Sequence, residues 1–168
     1  MQIDKKKAVM VTGATGYVAG WLIKELLEAG IDVHAAVRNP DRQDKVKHLD
    51  EIAAKAPGNI QYFKTDLLEE GSYEEAMKDC ELVFHTASPF ILKYDDPQKD
   101  LVDPAVKGTR NVLESANRVA SIKRVVLTSS CASIYGDNID LKQTANGVFT
   151  EDDWNTTSTL HHQSYSYS

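Results

Sequence analysis

Short apolar runs alternate with amphipathic stretches from the start of the chain, and this rhythm constrains the fold more than any other feature of the sequence. Such alternation predicts strands joined by crossover helices, and therefore a parallel sheet. Strands buried on both faces of such a sheet should be rich in β-branched and aromatic residues. Five segments fit this description: Ala8–Thr12, Asp32–Val37, Ile60–Lys64, Leu82–Thr86 and Val125–Ser129.

Helical patterns fill the gaps between these strands. The first helix is predicted from the apolar residues Val18, Leu22, Leu26 and Ala29, with Gly30 placed to end it. The other helices are expected over residues 42 to about 56, 73–77 and about 101–120, and the chain after residue 130 reads as loops. The predicted fold class is α/β, a Rossmann-type doubly wound parallel sheet with helices on both faces, forming one domain over residues 1–168.

The turn after the first strand is rich in glycine and small residues. Gly13 permits a tight turn, Gly16 lets the backbone approach a pyrophosphate, and Ala19 lets helix and strand pack closely. The following helix offers free N–H groups to phosphate. We therefore predict a dinucleotide site, as opposed to an ordinary strand-turn-helix junction, made by Gly13, Thr15, Gly16, Tyr17 and Val18.

The end of the second strand indicates which dinucleotide binds. An acidic residue there would favour NAD, because it hydrogen-bonds the ribose 2′-hydroxyl and repels a 2′-phosphate. This chain has Arg38 instead, and a planar guanidinium suits phosphate. Lys45, early in the next helix, is a second candidate for binding the 2′-phosphate. The alternative is that it is a surface residue without a role in binding. The expected cofactor is NADP(H).

Further cofactor contacts are expected where the third, fourth and fifth strands end. Ligands of doubly wound sheets collect at this carboxyl edge. The candidates are Asp66, Leu67, Thr86, Ala87, Ser88, Thr128 and Ser129. For His85, a packed position at the strand end is at least as plausible as a role in chemistry.

Several of these segments resemble one known family. Thr12–Gly16, Val37–Pro40, Phe84–Pro89, Thr128–Ser130 and Glu151–Trp154 are similar, in this order, to landmarks of the dihydroflavonol reductase and cinnamoyl-CoA reductase group of extended short-chain dehydrogenases. The resemblance implies an NADPH-dependent reduction of an aldehyde or ketone by a Ser-Tyr-Lys set. It matches Ser130 to the serine, with Ser129 and Cys131 as competing assignments, and Tyr165 to the tyrosine.

The chemistry of these residue types agrees with that implication. Reducing a carbonyl needs a hydride on carbon and a proton on oxygen; Tyr165 is the candidate acid, and Ser130 would orient the carbonyl oxygen. An unperturbed tyrosine has a pKa of about 10, so a neighbouring cation is needed. The alternatives are a serine that only ends a strand and a tyrosine in a disordered tail.

The family's Tyr-x-x-x-Lys spacing is matched up to Ser168, without the lysine. Family members are about twice as long. We therefore expect a truncated chain that lacks the substrate-binding half and is inactive by itself. Tyr135 stands where flavonoid-reducing members carry asparagine, which favours a general aldehyde or ketone reductase.

Composition excludes several other functions. With 42% hydrophobic residues, 26% charged residues and a net charge of −6, the chain has no broad cationic surface for nucleic acid or an anionic membrane. Cys80 and Cys131 have no metal-ligand spacing. We expect a cytoplasmic protein with no metal that binds a small carbonyl substrate, as a monomer or homodimer.

Two other functions stay open. Ser133–Gly136 resembles a segment of nucleotide-sugar epimerases and dehydratases, although those enzymes usually retain NAD and Arg38 argues against that cofactor. The second is a non-catalytic module that binds NADP and reports its redox state to a partner.

Overall fold

The structure is a computed structural model that describes residues 4, 6–89, 91 and 93–168. Within them, five parallel strands form one sheet in the order β3-β2-β1-β4-β5. They are β1 (Val9–Thr12), β2 (Val33–Val37), β3 (Ile60–Lys64), β4 (Leu82–His85) and β5 (Arg124–Leu127). The predicted fold class is confirmed, and each strand ends within two residues of its expected bounds. The order reverses between the adjacent strands β1 and β4, the point where such sheets bind ligands.

The helices follow the strands in the predicted alternation. They are α1 (Tyr17–Glu28), α2 (Gln43–Ala53), α3 (Glu74–Met77), α4 (Asp103–Arg118) and α5 (Ser164–Tyr167). A π-helical turn, Gln98–Val102, leads into α4, and short 3₁₀ turns occupy Cys131–Ser133, Asn138–Gln143 and Ala145–Gly147. In the described part of the chain, no helix has the length and apolar character needed to cross a membrane.

The buried face of α1 differs from the expected one. Ala19, Ile23, Leu26 and Leu27 face the sheet, whereas Val18 is 58% exposed and Ala29 is exposed. Residues 19, 23, 26 and 27 form one helical stripe, and the predicted stripe was displaced from it by about one residue. This shift leaves Val18 at the exposed start of the helix, where the glycine loop ends.

The core lies on both faces of the central strands. Val9 and Val11 of β1 pack in one cluster with α1 and α2, while Met10 packs in the other with α3 and α4, as alternating side chains of a strand should. The prediction that the strands are buried on both faces is wrong for β3 and β5, whose residues are half-buried or exposed. The reason is their position, because these strands form the two outer edges of the sheet.

The contacts divide the chain into two compact units. The sheet unit comprises Met1–Ser88 and Gly108–Thr128, and the loop unit comprises Pro89–Lys107 and Ser129–Ser168. The sheet unit contains all five strands, and the loop unit contains the 3₁₀ turns and α5. The single domain expected over residues 1–168 stays a prediction.

Candidate functional site

The glycine loop of the sheet unit joins β1 to α1. Gly13 has φ +62°, and a Cβ there would lie 3.0 Å from the Cα of Ala87, so the fold itself requires glycine. Gly16 has ordinary extended angles, φ −79° and ψ 160°. A Cβ at Gly16 would meet the carbonyl oxygen of Gly13 at 3.1 Å and, apart from its chain neighbours, no other atom of the described residues within 4 Å. The space beside Gly16 is therefore open to a ligand.

At the same place, the N-terminus of α1 has N–H donors that make no hydrogen bond to the residues the structure describes. The N–H of Gly20 donates to the carbonyl of Gly16 at 2.9 Å, so Tyr17, Val18 and Ala19 precede the first helical hydrogen bond. The helix has no side-chain cap and no acidic residue in its first turn. Thr15, Gly16, Tyr17 and Val18 are exposed. The loop thus fits a phosphate, since its donors and the helix dipole are unopposed.

Arg38 follows β2, the neighbour of β1 in the sheet. It is exposed, and within the described residues its guanidinium makes no hydrogen bond or ion pair. Arg42, four residues later, instead donates two hydrogen bonds of 2.7 Å to the carboxylate of Asp44. Lys45 is exposed and, among the described residues, also without a partner. Arg38 is therefore an uncompensated cation at the end of the strand beside the glycine loop.

Asp66 and Leu67 lie in the loop after β3, which α4 holds in place. The Asn111 side chain donates to the carbonyl oxygens of Leu67 at 3.2 Å and Glu69 at 2.7 Å, and accepts from the N–H of Gly71 at 3.0 Å. Asp66 is exposed and accepts from the N–H of Leu68 at 2.8 Å. Sequence reasoning missed Asn111, whose only signal is a polar residue on the buried face of an amphipathic helix.

Thr12 holds the loop after β4, which carries Thr86, Ala87 and Ser88. Its hydroxyl oxygen accepts from the N–H groups of Thr86 and Ala87, both at 3.0 Å, and lies 2.9 Å from Nδ1 of His85. The Thr86 hydroxyl donates to the carbonyl of Thr12 at 2.5 Å. Sequence reasoning missed Thr12 as well; a lone hydroxyl residue ending an apolar strand was the available signal.

His85 is packed at the end of β4, and its side chain is 1% exposed. Burial lowers the pKa of the imidazole from 6.5 to about 4, because a charged ring would lose its hydration. The ring is therefore neutral near pH 7. This agrees with the interpretation of His85 as a packed residue.

The pKa of His85 predicts a pH dependence of stability. As pH falls below 6.5 the unfolded chain binds a proton that the folded chain does not bind until about pH 4, so folding stability falls with pH across this window. We expect a loss of about 2 kcal/mol between pH 7 and pH 5 from this residue. Urea unfolding at the two pH values checks this. His85→Asn should lack this component, and an equal loss in both proteins would contradict the assignment.

Ser130 belongs to the loop unit and begins the 3₁₀ turn Cys131–Ser133. Its hydroxyl oxygen accepts from the N–H of Ala132 at 3.2 Å, which leaves the hydroxyl proton available for donation. Ser129 is exposed, and its hydroxyl lies 3.2 Å from that of Ser133. A cavity of about 430 Å³ opens beside these residues, with the following lining: Ser129, Ser130, Cys131, Ser133, Ile134, Glu151, Asp153 and Trp154.

The same unit contains Tyr165, on the single turn of α5. The Cα atoms of α5 come within 8 Å of the turn Cys131–Ser133 and of the π-helical turn Gln98–Val102. The structure thus brings the helix of Tyr165 close to the turn that Ser130 begins. The Tyr165 side chain is 41% exposed, and the Ser164 hydroxyl anchors the helix by donating to Leu160 O at 2.7 Å.

A polar network fixes the chain just before α5. The Gln163 side-chain amide donates to the carbonyl of Gly136 at 2.6 Å and to Asp137 at 2.7 Å, and His162 lies 2.6 Å from the same carboxylate. These hydrogen bonds hold the pKa of the Asp137 carboxyl below its usual value, and the one from His162 has the largest effect. A helix of four residues has little stability of its own, so these contacts position Tyr165.

Comparison with known proteins places this architecture in a family. The model of the NAD dependent epimerase/dehydratase family matches residues 9–168. The chain belongs to this family. It is 51% identical over 126 residues to a cinnamoyl-CoA reductase of Medicago truncatula, covering 75% of this chain and 38% of that protein. It is 39% identical over 150 residues to a dihydroflavonol 4-reductase of Solanum lycopersicum, covering 89% and 38%.

A solved structure of the yeast methylglyoxal/isovaleraldehyde reductase in complex with NADPH is also similar, with a TM-score of 0.76 and 29% identity. The alignment covers 95% of this chain and 48% of that one. The expected resemblance to the dihydroflavonol and cinnamoyl-CoA reductase group is confirmed. The chain spans less than half the length of these relatives.

Proposed function

We propose that this chain is the cofactor-binding part of an NADPH-dependent reductase that transfers a hydride to an aldehyde or ketone. The observation that carries the proposal is Arg38, an exposed guanidinium at the end of β2. Among the described residues it has no ion-pair or hydrogen-bond partner, and it lies beside a glycine loop whose helix begins with N–H groups that precede the first helical hydrogen bond. The relatives add support, because a similar structure contains NADPH and the curated relatives are reductases by name.

The residues of the sheet unit fit the cofactor part by part. The donors at the start of α1 would bind the pyrophosphate, and Arg38 with Lys45 would bind the 2′-phosphate. Asp66 and Leu67 would border the adenine. The loop Thr86–Ser88 and Thr128, at the carboxyl edge of the sheet, would contact the rest of the dinucleotide. When bound, NADPH supplies the hydride.

The loop unit would supply the remaining chemistry. Ser130 has a hydroxyl proton to donate to a carbonyl oxygen, because its own oxygen already accepts from Ala132. Tyr165 would give the proton that the reduced oxygen needs. Ser129 stays a predicted cofactor contact, with the role of the serine in the chemistry as its alternative. The epimerase alternative is weaker, because an NAD-retaining enzyme has no use for a cation at Arg38.

The substrate class is proposed as general aldehydes or ketones. Tyr135 occupies the position where flavonoid-reducing members carry asparagine, and its ring stacks on Phe149 with centroids 5.0 Å apart. A phenol has a single O–H donor and no amide NH₂, so Tyr135 cannot reproduce the hydrogen bonds of an asparagine amide. The flavonoid reading is weakened accordingly.

Replacing Arg38 tests the cofactor assignment. Arg38→Ala should weaken NADPH binding by about tenfold to a hundredfold, the value of a charge-assisted contact, and leave NADH binding unchanged. Titration calorimetry with both cofactors measures the preference. Arg42→Ala is the matched control, because the Arg42 charge is already paired with Asp44. If Arg38→Ala kept the preference for NADPH, the guanidinium assignment would be wrong.

A further inference from the structure

The hydrogen bonds at Thr12 fix which nitrogen of His85 carries the proton. Among the described residues, the Thr12 hydroxyl has three hydrogen-bonding neighbours: the N–H groups of Thr86 and Ala87, and Nδ1 of His85. A hydroxyl offers one proton and two acceptor positions. The two N–H groups can only donate, so they occupy both acceptor positions, and the hydroxyl proton must go to Nδ1. The neutral ring therefore has its proton on Nε2.

The other nitrogen shows that packing alone does not account for a histidine here. Nε2 is buried, and in the part of the chain that the structure describes it has no hydrogen-bond partner. A buried N–H donor without a partner is costly, and an aliphatic side chain would avoid that cost. What a histidine supplies at this position, and an aliphatic residue does not, is the acceptor at Nδ1.

The network that depends on this acceptor holds two loops of the sheet unit together. Thr12 precedes the glycine loop, and its oxygen fixes the backbone of Thr86 and Ala87. The Cα of Ala87 lies 3.0 Å from the place of a Cβ at Gly13, so the loops are in close contact. The carbonyl of His85 also accepts from the N–H of Thr128 at 2.9 Å. The His85 side chain thus links β1 to β4, whereas the hydrogen bond to Thr128 is made by its backbone and would be kept by any residue at this position.

We propose that His85 is a positioning residue for the cofactor: by accepting the Thr12 hydroxyl proton at Nδ1, it holds the loop Thr86–Ala87 against the glycine loop in the arrangement that binds NADPH. The inference rests on the proposed function for its ligand and on the hydrogen-bond geometry for its mechanism. It predicts that an acceptor at the position of Nδ1 is needed, and that an imidazole as such is not.

Two nearly isosteric substitutions separate these requirements. His85→Asn keeps an acceptor close to the position of Nδ1, whereas His85→Leu removes it. We expect His85→Leu to raise the Kd for NADPH about tenfold and His85→Asn to leave it within about twofold of wild type. Hydrogen exchange should show faster exchange of the Thr86 and Ala87 amides in His85→Leu. The amide of Thr65, which donates to the carbonyl of Val37 at 2.9 Å outside this network, is the internal control and should not change.

Two further measurements test the mechanism. The ¹⁵N shifts of the wild-type imidazole should show a protonated Nε2 and an unprotonated Nδ1, and the Nδ1–H tautomer would overturn the proposal. In a Thr12→Val background, His85→Leu should cause no further loss of NADPH affinity, because the Thr12 hydroxyl, through which the proposed effect of His85 passes, is already absent. Additive losses, or a folded His85→Leu protein with wild-type affinity, would also overturn it. A wild-type chain that does not bind NADPH would instead refute the proposed function. The amide exchange rates and the imidazole tautomer would then test the hydrogen-bond network by themselves.

Discussion

Replacing Gly16 by valine is expected to abolish NADPH binding while the chain stays folded. The backbone at Gly16 is extended, with φ −79°, and the valine side chain would enter the open space beside the loop. That space is where the proposal puts the pyrophosphate, so the side chain would separate the phosphate oxygens from the N–H donors of α1. We expect the Kd to rise at least about a hundredfold, as two or more charge-assisted hydrogen bonds would be lost.

Titration calorimetry measures the affinity, and circular dichroism with thermal unfolding measures the fold. Gly20→Ala is the matched control, because among the described residues outside its own helix a Cβ at Gly20 meets Nε2 of His48 alone, at the ordinary distance of 3.7 Å. This variant should bind NADPH as wild type does. Gly13→Val should behave differently and destabilise the fold, since Gly13 has φ +62° and is in contact with Ala87. Unchanged affinity in a folded Gly16→Val protein would refute the assignment of the glycine loop.

The contrast between the two glycines shows what a sequence pattern conveys. The strand, the glycine loop and the amphipathic helix follow from residues near one another in the chain, so periodicity predicts them well. The same pattern cannot say which glycine serves the fold and which serves a ligand. That distinction needs the contact of Gly13 with Ala87, from a loop more than seventy residues later in the sequence.

The site residues that sequence analysis missed also act through contacts between residues that are far apart in the sequence. The Thr12 hydroxyl meets a histidine 73 positions away, and the Asn111 amide meets Leu67, 44 positions away. Neither residue belongs to a local motif, and their hydrogen bonds form only after the sheet and helices have assembled. The exposed edge strands β3 and β5 were misjudged for a related reason, since the order of strands in the sheet decides their burial and their own sequence does not.

The short helix α5 is the clearest case of structure set by tertiary contacts. Four residues, Ser164–Tyr167, give no usable periodicity, and the alternative of a disordered tail was reasonable from the sequence. Gln163, with the left-handed φ of 55°, and its hydrogen bonds to Gly136 and Asp137 bring the chain into this helix. A tyrosine held in this way is a better candidate for proton transfer than one in a tail, because catalysis depends on position.

Tyr165→Phe should therefore remove the activity of a protein that contains this chain at the full length of its relatives. The change deletes only the phenol oxygen, so the proposed acid is lost while the ring remains. Loss of a positioned acid typically costs about 10²- to 10⁴-fold in rate, and we expect kcat to fall within this range. NADPH affinity should be unchanged, since the proposed cofactor contacts of the glycine loop and Arg38 belong to the sheet unit. NADPH consumption with small aldehydes and aromatic ketones measures the rate.

Tyr167→Phe supplies the matched control, because Tyr167 lies on the same helix and is also exposed, by 51% against 41% for Tyr165. It should retain activity, which would separate loss of the acid from disturbance of α5. The 168 residues alone should bind NADPH without sustained turnover. They span 38% of the curated relatives, and a substrate that is not held against the cofactor loses the large rate advantage of proximity. Robust reduction by these 168 residues, or an active Tyr165→Phe enzyme, would show that the proton comes from another group.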